Sequence, residues 1–250
     1  MIELEIKELE TEIGEKMNSN TEKLLVESMG ISKKVLNHVI TAERQVADSF
    51  AALDDIMAYN QYKVLDVFQK CRITDMHFGW NTGYGYNDPG REALEKAYAM
   101  LFGTEAALVR PIIVNGTHAL TLMLTGTLRP GDELIYCTGS PYDTLWEVIG
   151  LRGEGRGSLK DFGITYKQVE LKPDGSIDLE ALGSVISPKT RAVAVQRATG
   201  YGWRKAITTD EIEKWAGYVK KIDPNIICLV DNCYGEFLDT KEPTEVGADV

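Results

Sequence analysis

Asp231 follows the apolar run Ile226 to Val230 directly and is trailed by Asn232, Cys233 and Tyr234. A carboxylate leaving the end of a buried strand is costly unless it is paired. A protonated pyridine nitrogen would be such a partner, and a helix or loop cap is the plainer use of the same side chain. Upstream, Asn115-Gly116-Thr117-His118 opens the helical run Ala119 to Leu124. A glycine at a helix start lets free backbone N–H groups approach an anion such as phosphate, and a glycine there also serves simply as a turn. The third position is Tyr142, in Ser140-Pro141-Tyr142-Asp143-Thr144. An aromatic ring in that loop could cover one face of a flat cofactor or sit half-buried. His118 could stack or bond near the same ligand, or pack within its helix.

These positions gain meaning from the elements that must carry them. From about Asp75 a Gly/Asn/Tyr-rich loop, Gly79 to Gly90, gives way to short apolar runs alternating with amphipathic helices, the pattern of a mostly parallel α/β sheet. Strands are predicted over Ala106 to Val109, Glu133 to Cys137, Ile164 to Leu171, Arg191 to Gln196 and Ile226 to Val230, joined by crossovers rather than hairpins. Ligands of such sheets bind beyond the carboxyl ends of the strands, where Tyr142, Gln196 and Asp231 fall. Asp88-Pro89 supplies an N-cap and a first-turn proline for a helix through Leu94, Ala97 and Leu101, closed by Gly103. Thr208 and Glu211 have capping-box spacing ahead of Ile212, Trp215 and Val219. Before Asp75 the apolar residues Leu36, Ile40, Phe50, Leu53 and Met57 recur at helical steps, with a break between helices expected at Gly30. The predicted organisation is a helical arm over residues 1–75 and an α/β domain over 76–250.

Composition narrows the function classes. The chain has 250 residues, 44% of them apolar and 26% charged, as in an ordinary globular protein. A net charge of −11 argues against nucleic acid or an anionic membrane surface as partner. No apolar stretch approaches the roughly 20 residues of a membrane-spanning helix, and Met1 to Lys7 lacks the basic start of a signal peptide, so a cytoplasmic protein is expected. The spacing of Cys71, Cys137, Cys228 and Cys233 fits no zinc pattern, and no metal site is expected. The absence of Gly-x-Gly-x-x-Gly and of a Walker lysine motif argues against a plain nucleotide-binding protein.

Taken in order, the motifs resemble the fold type I pyridoxal-phosphate (PLP) enzymes, particularly the Cys/Met-metabolism family of cystathionine and methionine lyases. The ordered pieces are Asp88-Pro89, Gly103-Thr104-Glu105-Ala106-Ala107-Leu108, Gly116-Thr117, Tyr142, Val230-Asp231-Asn232 and Gly247-Ala248-Asp249-Val250. Trp80 to Tyr86, Gln196 to Tyr201 and Asp231 to Glu236 are similar to the methionine γ-lyase-like or aluminium-resistance branch. The resemblance implies an α/β large domain and a carbon-sulfur lyase acting on a sulfur amino acid with PLP. It further implies a homo-oligomer with active sites shared between subunits. In that reading Gly116 and Thr117 hold the phosphate, Tyr142 stacks on the ring, Asp231 binds the pyridine nitrogen, His118 stacks or bonds near the ring, and Asn115 and Gln196 also bind the cofactor. Arg197 falls where relatives contact the O3′ side. The family's Tyr-x-Arg phosphate clamp has no clear match between Gly83 and Asp88, where Tyr84 or Tyr86 stands instead.

The family's cofactor-linking lysine lies a short way past the Gly-Ala-Asp segment, so here it is expected beyond Val250, with the small C-terminal domain also missing. Lys241, in the polar loop Asp239 to Pro243, reads as solvated surface. The expectation is therefore an N-terminal portion of a lyase, inactive by itself. The alternative is a non-catalytic binding or oligomerisation module that keeps the fold.

Overall fold

The structure, a computed structural model, describes residues 19–86 and 88–250. The Met1–Lys7 segment lies outside them. The chain divides into two compact units, residues 1–55 and 56–250.

In the first unit, α1 (Ser19–Lys23) continues into a π-helical turn, Leu24–Ser28. Gly30 then breaks the path with a left-handed φ of 70°, the break predicted there. Ser32 caps α2 (Lys33–Gln45) by accepting the Val35 N–H. A long helix, α3 (Ala47–Lys70), carries the boundary between the units. Phe50 and Leu53, on the predicted apolar face, are exposed.

In the second unit α4 (Pro89–Phe102) begins as its sequence demands. The Asp88 carboxylate accepts the Arg91 N–H, Pro89 occupies the first turn, and Gly103 closes the helix with φ 64°. Four parallel strands follow, β1 (Glu133–Tyr136), β2 (Thr165–Gln168), β3 (Thr190–Gln196) and β4 (Ile227–Asp231), ordered β2-β1-β3-β4. Helices α5 (Gly116–Thr127), α6 (Leu145–Ile149), α7 (Leu179–Val185) and α8 (Thr209–Ile222) cover the sheet on both faces. This double cover explains why β1, β4 and most of β3 are nearly continuous apolar runs, whereas the edge strand β2, Thr-Tyr-Lys-Gln, is polar and partly exposed.

Side chains alternate across the sheet. Leu134, Tyr136, Ala192, Ala194 and Leu229 pack with Leu124 of α5 and Leu145 and Ile149 of α6. Ile135, Val193, Val195, Cys228 and Val230 pack with Leu182 of α7 and Ile212, Trp215 and Val219 of α8. The predicted capping box holds α8, with Thr208 accepting the Glu211 N–H and Glu211 reaching back to the Thr208 N–H. Among the described residues no helix is long and apolar enough to cross a membrane.

One expected strand is not formed. Ala106 to Val109 is irregular, because its polar groups are met from elsewhere. The Val109 N–H donates to Glu95 Oε1 of α4, and the Thr104 hydroxyl takes the Ala106 carbonyl. Arg110 also pairs with Glu95, so the segment is tied to α4 instead of a ladder.

Candidate active site

Parallel strands put all their carboxyl ends on one side, so Tyr136, Gln168, Gln196 and Asp231 end together. Gln196 and Asp231 are opposite one another in the β3–β4 register. Asp231 is largely shielded, and its Oδ1 accepts the Cys233 N–H at 3.1 Å. Burial raises its pKa above the ordinary carboxylate value, with nearby Glu236 adding to the rise and the Cys233 N–H opposing it. No ion pair to Asp231 forms among the described residues.

The phosphate-turn candidates sit at the start of α5. Asn115 accepts the His118 N–H at 2.8 Å and thereby fixes the first turn. The N–H groups of Gly116 and Thr117 precede the first intrahelical bond and have no partner among the described residues. A Cβ added to Gly116 would meet nothing within 4 Å, so the approach to these groups is open. The Thr117 and Thr144 hydroxyls are 2.7 Å apart, which joins this turn to the loop carrying Tyr142. His118 Nδ1 accepts the Val114 N–H at 3.4 Å.

Tyr142 lies at the mouth of the site, its ring stacked on Tyr201 at 6.0 Å between centroids. A hydrogen bond with Tyr201 pushes its hydroxyl up to about 12, so it is neutral at pH 7. Trp146 anchors the loop from behind by donating to Ser140 Oγ and the Pro141 carbonyl. Tyr84 and Tyr86 stand on an exposed loop, with the Tyr84 N–H donating to Thr82 Oγ1. Lys241 is exposed, as expected.

Two buried polar atoms in this region lack partners, Gln196 Oε1 and the Tyr136 hydroxyl. Gln196 uses its amide nitrogen on the Ala198 carbonyl and its backbone N–H on Thr138 Oγ1, leaving Oε1 free. Tyr136 shares the sheet face of Ala194 and Leu229, two strands from Asp231, and the Asp231 charge contributes to raising its pKa after burial itself. A buried polar atom without a partner costs about 1–3 kcal/mol, so these atoms mark a place completed by a ligand or water. Sequence reasoning missed Tyr136, Thr138 and Thr144. Tyr136 alone left a trace, as a tyrosine in phase with Leu134 at a strand end.

Arg197 is 7% exposed. Its guanidinium is taken up by the Ile207 carbonyl, Asn232 Oδ1 and the Gly235 carbonyl. A groove of about 820 Å³ runs beside Val230 and Val250, lined also by Leu108, Phe102 and Phe237. None of the candidate residues lines it, and its walls are mainly apolar. No group of three or more His, Cys, Asp or Glu among the described residues is placed to hold a metal.

The set suits a phosphorylated pyridine: open N–H donors for a phosphate, an aromatic face, and an unpaired carboxylate for a ring nitrogen. Comparison with known proteins agrees with that geometry. Uncharacterized protein YnbB of Bacillus subtilis (strain 168) is 49% identical over 209 residues, covering 83% of this chain and 50% of YnbB. The crystal structure of a carbon-sulfur lyase involved in aluminum resistance from Clostridium novyi NT is 48% identical with a TM-score of 0.88, covering 93% of this chain and 56% of that one. L-methionine gamma-lyase of Pseudomonas putida is 28% identical over 179 residues, covering 69% of this chain and 38% of its own length. The chain thus spans about half the length of YnbB and of the Clostridium novyi lyase. Residues 35–250 match the methionine gamma-lyase family model, and the chain belongs to that family, with the fold type I architecture of pyridoxal-phosphate enzymes.

Proposed function

We propose that this chain is the cofactor-gripping portion of a PLP-dependent carbon-sulfur lyase acting on a sulfur amino acid. Residues 1–75 serve as an arm and residues 76–250 as part of the large domain. The observation that carries this reading is Asp231, a shielded carboxylate with a raised pKa and no ion pair among the described residues. It stands at the sheet end that also gathers Tyr142 and the free N–H groups of Gly116 and Thr117. A structural aspartate would bring its own partner; this one lacks only a positively charged one.

When bound, the pyridine ring supplies an electron sink for bond breaking next to an amino acid's α-carbon. Asp231 would hold a proton at the ring nitrogen, which makes the sink effective. Gly116 and Thr117 would bind the phosphate through backbone N–H groups. Tyr142, backed by Tyr201, would fix the ring plane and exclude water from that face. Gln196 Oε1 would accept a hydrogen bond from the ligand or its substrate. No lysine among the described residues contacts these groups, so the 250-residue chain is expected to bind the cofactor without turning substrate over.

Titrating PLP into the 250-residue chain while following tryptophan fluorescence tests the reading. Saturable binding that Asp231→Asn weakens supports it. An unresponsive chain would overturn it and leave a module that keeps the fold without the cofactor. Borohydride reduction with one equivalent of PLP, followed by peptide mapping, should give no stoichiometric pyridoxyl adduct at a single lysine, whereas one that Asp231→Asn abolishes would mean that one of this chain's own lysines serves. Gel filtration of the full-length protein tests the proposed homo-oligomer, which a monomer would contradict.

A further inference from the structure

The loop that leaves Asp231 is held in a shape its sequence resists. Tyr234 and Phe237 take left-handed φ values of 68° and 59°. Such backbone costs on the order of 1 kcal/mol or more at each non-glycine residue and persists only where the surroundings over-determine it. The surroundings here are one buried cation and one buried anion. Arg197 is only 7% exposed. Its Nη1 donates to Asn232 Oδ1 at 3.0 Å and to the Gly235 carbonyl at 2.7 Å, while Nε donates to the Ile207 carbonyl at 3.1 Å. Asn232 passes the connection on, its Nδ2 donating to Glu242 Oε2 at 3.1 Å. The other oxygen of Glu242, a residue 2% exposed, accepts the Phe237 N–H at 2.8 Å. Gly235 lets the network close, since a Cβ there would lie 2.7 Å from Arg197 Cδ and collide with Asn232 Oδ1.

The network reaches Asp231 at two points. The Arg197 backbone N–H donates to the Asp231 carbonyl at 3.0 Å, and Asn232 is its chain neighbour. The loop fixed at Asn232, Gly235 and Phe237 includes Cys233, whose N–H holds Asp231 Oδ1. We propose that Arg197 is a positioning residue, which aims the Asp231 carboxylate at the ring nitrogen through Asn232, Glu242 and the Cys233 N–H and touches no ligand itself. A planar fork with several donors suits this task, and a lysine ammonium does not reproduce it. The inference rests on the cofactor reading above, and its test separates the two.

The experiment uses the 250-residue chain and two probes, PLP and its carbocyclic analogue in which the ring nitrogen is replaced by C–H. Affinities for both are measured by tryptophan fluorescence on the wild type, Asp231→Asn, Arg197→Met, Arg197→Lys and Glu242→Gln, with a thermal melt of each. The wild type should prefer PLP by about 10-fold or more, the range for a hydrogen bond to a charged group, and Asp231→Asn should lose that preference. Arg197→Met and Glu242→Gln should cut the preference at least about threefold while leaving affinity for the carbocyclic analogue nearly unchanged. Arg197→Lys should recover little of it. If instead both probes weaken equally, the network is merely structural and the inference is overturned. A wild type without any preference overturns the role of Asp231 itself, and the inference falls with it. Should Arg197→Met fail to fold, Glu242→Gln, which preserves volume, and Gly235→Ala decide the question by the same ratio.

Discussion

Two carboxylates sit at opposite ends of the same sheet, and the protein treats them differently. Glu133, at the start of β1, is 5% exposed and accepts from Thr190 Oγ1 at 2.7 Å, Ser187 Oγ at 2.9 Å and Lys167 Nζ at 2.9 Å. Burial works to raise its pKa, but those three donors outweigh burial and hold it below the ordinary value. Asp231, at the end of β4, has one backbone N–H, and burial raises its pKa. The near end of the sheet is thus complete in itself. The far end keeps an unpaired carboxylate, two orphaned polar atoms and a strained loop. A carboxylate that serves the fold arrives with its donors, whereas one that serves a ligand leaves the place of the donor open.

The largest effect expected from this contrast is on stability at the complete end. Glu133→Ala strips three donors of their acceptor and should cost about 2–3 kcal/mol, toward the lower figure because Lys167 keeps contact with water. In a unit of this size that corresponds to a fall in Tm of about 4–12 °C, measurable by calorimetry, with cofactor affinity unchanged. At the open end the sign reverses. Asp231→Asn should leave the free chain as stable as before or about 0.5–1 kcal/mol more stable, while weakening PLP by about 10- to 100-fold. Loss of stability in Asp231→Asn comparable to that in Glu133→Ala would erase the distinction between the two carboxylates.

The sequence revealed the open end far better than the complete one, for a physical reason. Asp231, Gly116 and Tyr142 each stand where a local rule operates, at a strand end, a helix start and a loop after a strand, so the residues mark them as candidates, and the ordered family resemblance implies a role for each. The donors of Glu133 come from Lys167 on β2 and from Ser187 and Thr190 at the start of β3, far along the chain. Only the parallel register brings them together, and no local pattern announces that register. Arg197 was likewise opaque, because Asn232, Gly235 and Glu242 become its neighbours through the β3–β4 pairing. Ala106 to Val109 shows the opposite failure. Its apolar run has strand character, yet Glu95, on the preceding helix, captures the Val109 N–H that a ladder would need.

Titration sharpens the same comparison at a smaller scale. Glu133, with its pKa lowered by folding, contributes stability that is present above the ordinary carboxylate range near pH 4 and is lost as pH falls through its folded value. Asp231, with its pKa raised, binds its proton more tightly in the folded state. Its contribution is present below the ordinary range and is lost as pH climbs through the raised value. Urea midpoints measured from about pH 3 to pH 8 should therefore lose part of their acid-side decline in Glu133→Gln and part of their fall above the ordinary carboxylate range in Asp231→Asn. The same change in both variants would mean that neither carboxylate has the environment described.

The smallest effect concerns how the open end is held open. The 2.7 Å contact between the Thr117 and Thr144 hydroxyls connects the free N–H groups of α5 to the loop of Tyr142. It lies near the surface, so removing it should cost the free chain only about 0.5 kcal/mol. Thr144→Val keeps the shape of the side chain and the whole of Thr117, deleting only the hydroxyl that ties the two segments. If the tie sets the distance between phosphate donors and ring-stacking face, affinity for PLP should drop about threefold, while affinity for inorganic phosphate, which needs only one of the two segments, should not change. A parallel drop for inorganic phosphate would show that the hydroxyl pair shapes the helix start alone. The open end would then be two independent surfaces, not one site assembled before its ligand arrives.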